Sequence, residues 1–218
     1  MIKQIKHNSG ITFIEMLIGL TIFSIIAASL YSVFFSSTSA WKRSEDLNRV
    51  NQEARWSLDN LSRELHNAII LSYKDRYPNF KAFEGGPDKL SFFIVVDSEI
   101  KRVTYLLEPK DKNSDTEFYF KRKESYFIDS LQSSSKEESE ENLSSLVTKE
   151  GLKFSYPYGA EGEGEEIEWK DRWQDSESLP AGVKIELALQ NPGNPNSKTT
   201  FYRTVFVPLG VVGEIKEK

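Results

Sequence analysis

A chain of 218 residues with 39% hydrophobic side chains has material for one globular domain of moderate size and an appendage, and too little for a second full domain. A formal net charge of -5 argues against nucleic acid as a partner, and the absence of cysteine excludes disulfides and thiolate metal sites. The apolar residues crowd between Ile11 and Phe35 while the remainder is strongly charged, so the two parts face different solvents.

At the amino end Lys3, Lys6 and His7 precede Asn8-Ser9-Gly10, and an apolar stretch follows in which Glu15 is the only charged residue before Lys42. Met16 to Phe35 is uncharged, and at about 1.5 Å per helical residue such a run covers roughly the 30 Å of a bilayer hydrocarbon core. A secretory signal carries its small residues on the far side of a shorter apolar run; here they sit on the near side. The basic residues ahead of the span predict that this end stays in the cytoplasm and the polar bulk lies across the membrane. Glu15, at the edge of a lipid-facing helix, is costly unless a cation meets it.

The residues Ser9-Gly10-Ile11-Thr12-Phe13-Ile14-Glu15-Met16-Leu17-Ile18 resemble the processing and methylation motif of type IV pilins and type II secretion pseudopilins. The resemblance implies cleavage of a 1–10 leader by a prepilin peptidase between Gly10 and Ile11, and N-methylation of Ile11. It also implies an assembly salt bridge from Glu15 to the N-terminal ammonium of a neighbouring subunit. Ile11 stands where phenylalanine is usual and Phe13 where leucine is usual, and both keep the apolar character. The alternative is an uncleaved signal anchor in which Glu15 snorkels to the headgroups.

Beyond Phe35 the helical period continues: Leu47, Val50, Ala54, Leu58, Leu61, Leu65 and Ala68 recur every three or four residues, with charged residues between them. These positions predict one helix over 12–68, membrane-spanning in 11–35 and amphipathic in 36–70, with a break at Ser36-Ser37-Thr38-Ser39 as the competing reading. Trp56 is expected to pack on the domain and Trp41 to sit at the membrane interface.

The remainder, 71–218, reads as a β-rich globular domain. Strands are predicted over 89–96, 100–107, 117–122, 152–156, 183–189 and 200–208, with turns at 85–88, 109–115 and 191–196. The fold class is therefore α+β: a long N-terminal helix packed on an antiparallel β-sheet, pilin-like in architecture. Lys121-Arg122-Lys123 is read as alternation on an exposed strand face rather than a basic patch. The segment 133–145 is read as a mobile or helical surface excursion, and the acidic run 159–168 as a solvated turn; its spacing matches no defined calcium loop, and no metal or other cofactor is assigned.

Trp173 followed by Leu179-Pro180 and then a strand is similar to the end of the minor pseudopilin J family of type II secretion. Pro180 would set the start of a strand and Trp173 would cover one side of the core. That resemblance implies a subunit of a periplasmic pseudopilus tip, anchored in the bacterial inner membrane, whose partners are other minor and major pseudopilins and a prepilin peptidase. A minor pilin of a type IV pilus or DNA-uptake system is the near alternative. A signal-anchored periplasmic enzyme or sensor is the alternative of another class; His7 leaves with the leader, His66 sits on the helix, and no nucleophile motif accompanies them, so no catalytic residue is assigned.

Overall fold

Helix α1 runs from Phe13 to His66. It passes through Ser36-Ser37-Thr38-Ser39, where the competing reading put a break. Its hydroxyls turn onto its own backbone: Thr21, Ser24, Ser29 and Thr38 donate to carbonyls three or four residues earlier at 2.8–2.9 Å. Groups satisfied in this way leave the main-chain ladder intact and expose no unpaired donor. The computed structural model describes residues 11–72, 77, 80–111, 117–130, 139–159, 167–175 and 177–214. It divides into two units, Met1–Glu45 and Asp46–Lys218. In the first, the side chains from Ile11 to Phe35 are exposed.

In the second unit α1 buries one stripe, Val50, Ala54, Ser57, Leu58, Leu61 and Leu65. Leu47 and Trp56 fall outside it. Trp56 is 45% exposed, which corrects the expectation that it packs on the domain. It stands two positions before Leu58, about 200° around a helix, so it points away from the sheet.

The strands are β1 (Phe83–Gly85), β2 (Lys89–Val96), β3 (Glu99–Pro109) and β4 (Phe118–Tyr126); then, after the short helix α2 (Phe127–Ser130), β5 (Ser139–Gly159), β6 (Glu168–Lys170), β7 (Gly182–Asn191), β8 (Asn194–Phe206) and β9 (Gly213–Glu214). They form one sheet in the order β1-β2-β3-β4-β5-β7-β8, with β6 and β9 attached to β5. All pairings are antiparallel except that of β9 with β5. Two hairpins have two-residue turns: Asp97-Ser98 between β2 and β3, and Pro192-Gly193 between β7 and β8. The expected 191–196 turn is thus shorter, because β8 already begins at Asn194.

Strand β5 organises the domain. Its first part pairs with β4, its middle with β7, and its end with β6 and β9. The register shifts between Val147 and Leu152, and Gly151 at that step lies so close to the Ala188 carbonyl oxygen that a Cβ has no room. Residues 139–145, expected to be a surface excursion, are strand instead. Glu140 and Glu141 stand opposite Lys123 and Arg122, and Leu143 is buried, so cross-strand charge and one apolar anchor hold a stretch with little strand propensity of its own. Positions 133–138 of that expectation lie outside the described residues, as does the 160–166 stretch of the acidic run considered for calcium.

The core joins the α1 stripe to alternate residues of the facing strands, among them Phe92, Tyr105, Phe120, Phe154, Ile185 and Leu187. Ser57 donates to the Leu143 carbonyl at 3.2 Å, and Ser144 donates to Glu53 Oε2 at 2.7 Å. On the opposite face of β2, Phe93 is enclosed by Phe80 and Phe127, with the Arg102 guanidinium 5.7 Å from its ring centroid.

Lys121-Arg122-Lys123 alternates as expected for a strand, but each charge is largely buried and paired. Lys121 and Lys123 bond Glu108 at 2.7 and 2.8 Å, and Lys121 also pairs with Glu140. Arg122, on the helix side, bonds Glu64 of α1 at 2.7 Å and Glu124 at 2.8 Å. Lys101 bonds the same Glu124 at 2.7 Å, and the Tyr105 hydroxyl donates to Glu64 at 2.6 Å. Burial, and then the Glu64 carboxylate beside it, push the Tyr105 hydroxyl well above its ordinary pKa.

Candidate functional site

The site indicated by the sequence is the start of α1. Gly10, the expected cleavage residue, lies outside the described residues; Ile11 is exposed immediately before the helix. Thr12 and Glu15 come together as a capping box. Glu15 N–H donates to Thr12 Oγ1 at 3.3 Å, while the Thr12 N–H and hydroxyl both donate to Glu15 Oε2 at 3.0 Å. The first main-chain bond of the helix follows, from Met16 N–H to the Thr12 carbonyl at 3.2 Å.

Sequence reasoning assigned Glu15 to a cation and overlooked Thr12. The signal was there, since threonine three residues before glutamate at the head of an apolar run is a helix-start signature. A donor-rich first turn carries the positive end of the helix dipole, so Glu15 is placed where a carboxylate is favoured even before another subunit arrives. Both bonds use Oε2; among the described residues Oε1 has no hydrogen-bond partner.

Behind this cap lies the one described helix long and apolar enough to cross a membrane, with none of its apolar window buried. Side chains such as Leu17, Leu20, Phe23, Ile26 and Phe34 face outward on every side of α1. A helix apolar all round calls for lipid or other helices about it. Residues 5–31 match the family described as the prokaryotic N-terminal methylation motif. That stretch is a type IV pilin-like signal. Neither the curated proteins nor the solved structures contain a match to it.

A pilin-like motif implies processing by a prepilin peptidase and assembly with other pilin subunits. The apolar helix near the amino end fits an anchor in the inner membrane. The architecture agrees with this class: a long helix whose second half packs on an antiparallel, curled sheet.

Trp41 lies six residues beyond Phe35 and is 77% exposed, next to Lys42 and Arg43. At the far end of the domain Trp173 is buried against Tyr156 and Tyr158, with ring centroids at 6.3 and 5.3 Å, and its indole N–H donates to the Ser178 carbonyl at 3.1 Å. Leu179 is fully buried and Pro180 bridges to Val211 just before β7. The core-covering and strand-starting roles expected of Trp173 and Pro180 are both met.

Proposed function

We propose that this chain is a minor pseudopilin of a type II protein secretion system, acting by assembly rather than catalysis. The leader 1–10 is removed after Gly10, Ile11 is N-methylated, and 11–35 holds the subunit in the inner membrane with 71–218 in the periplasm. The mature subunit joins other minor and major pseudopilins at the tip of a pseudopilus that supports export of folded proteins. The observation that carries this reading is the coincidence of the methylation motif, an apolar helix exposed on every side, and a single carboxylate in its first turn.

In the assembled state the ammonium of a neighbouring Ile11 meets Glu15 Oε1 while Thr12 keeps Oε2. A carboxylate so held is oriented before the partner arrives, and pairing offsets the cost of two charges in an apolar bundle, whereas loss of either partner leaves one of them isolated. The buried Trp173 ahead of Leu179-Pro180 and β7 supports the pseudopilin J assignment within the class. The same motif serves a minor pilin of a type IV pilus or DNA-uptake system, which is the second reading.

The two are separated by isolating the tagged full-length chain from mildly cross-linked membranes and identifying what accompanies it. Co-isolation of pseudopilins, reduced at least fivefold by Glu15→Ala, is the expected result. Co-isolation of pilus subunits alone would favour the second reading, and solitary recovery would count against both.

A further inference from the structure

Strand β8 forms one margin of the sheet: among the described residues it pairs with β7 alone. In such a strand every second residue turns its N–H and C=O away from the sheet, a template for another extended chain. The hairpin end of β8 is blunted by Pro195 and Lys198, which discourage pairing there; Thr199 to Phe206 carries neither proline nor lysine. On its outer face Tyr202 and Phe206 are 65% and 66% exposed.

The same margin borders α1. Two adjoining hollows lie between helix and strand and share Arg203. One is lined by Arg55, Leu58 and Asp59 with Phe201 and Tyr202, the other by Arg63, His66 and Asn67 with Val205 and Phe206. Together they form a groove with Leu58 and Val205 buried in its floor. Its permanent charges are three arginines, Arg55, Arg63 and Arg203, against one carboxylate, Asp59, which is bonded to Arg203. On a chain of net charge -5 this is a local reversal of sign directly beside an available strand edge.

We propose that the β8 edge and the groove beside it receive an extended, acidic segment of a different subunit, which adds to the sheet as a further strand. This rests on the assembly reading above. Main-chain bonds to β8 would supply affinity, and carboxylates on the face turned toward α1 would meet Arg55 and Arg63 and compete with Asp59 for Arg203. Alternate apolar side chains would cover Tyr202 and Phe206. The sign of the groove disfavours a basic segment, and a helix could not use the strand's outward-facing main chain.

A benzophenone side chain placed at Tyr202 in the full-length protein, irradiated in native membranes, tests this, with the same probe at Phe23 in the apolar half of α1 as the assembly control. The expected result is a Tyr202 adduct with another subunit, mapped by peptide mass to an acidic segment of extended conformation. Arg63→Glu should lower that adduct at least fivefold and Arg63→Ala less, with Phe23 adducts and the unfolding temperature unchanged. Phe23 adducts without a Tyr202 protein adduct would overturn the docking proposal and leave assembly standing. So would a Tyr202 adduct to a second copy of this chain, to a helical segment, or insensitive to both Arg63 variants. Absence of adducts at both positions would overturn the assembly reading and the docking proposal with it.

Discussion

Asp97 and Ser98 occupy the left-handed region, with φ of 52° and 68°, at the two-residue turn that sets the β2–β3 register. Positive φ at both central positions suits the right-handed twist of a hairpin but strains a side chain that carries a Cβ. Ser98→Gly is therefore expected to stabilise the detergent-solubilised protein by about 0.5–1 kcal/mol, seen as a higher unfolding midpoint with an unchanged denaturant slope. Arg122 is the opposite case, since its guanidinium neutralises Glu64 and Glu124 in a largely buried position. Arg122→Met should cost about 2–3 kcal/mol, and adding Glu64→Gln should recover part of that loss, because one of the stranded carboxylates is then gone. At this scale the sequence was uneven. Glu15 stood out because it is the one charge in an apolar run, whereas Arg122 looked like its neighbours Lys121 and Lys123. Only strand alternation plus the position of α1 reveals that it faces the other way.

Strands whose own composition dictates them were legible: β2 matches its predicted bounds, and β3, β4, β7 and β8 were located with shifts at their ends. The first part of β5 was not, since its serines and glutamates carry no strand signal until the lysines of β4 stand opposite them. Strands β1, β6 and β9, of two or three residues, are too short to leave a period. The charge lattice across β3, β4 and α1 has a consequence for pH. Burial pushes the Glu124 carboxyl upward, but the bonds from Lys101 and Arg122 outweigh it and hold it below the ordinary 4.5. Hydrogen bonds from Lys121 and then Lys123 hold Glu108 below the same value. With folded values below unfolded ones, the unfolded chain binds more protons in between. The stabilisation is complete above about pH 4.5 and drains as the pH falls through the depressed folded values. Glu124→Gln should flatten the acid limb of a stability-versus-pH curve; an unaltered limb would contradict the lattice.

The whole molecule divides its chemistry along the chain. The first unit exposes apolar side chains around α1, and the second closes a core of its own against the later part of the same helix. That partition was readable from the distribution of charge, because a bilayer and a filament core impose the same demand on residues 11–35. The head's margin was not readable, since which strand ends a sheet depends on the order β5-β7-β8 and no local pattern encodes it. The most direct measurement is the intact mass and N-terminal sequence of the membrane-extracted protein, with and without the prepilin peptidase, in the natural chain and in Gly10→Ala. A mature chain beginning with N-methylated Ile11, absent in both controls, is the predicted result; a chain that keeps residues 1–10 under all conditions would contradict the account.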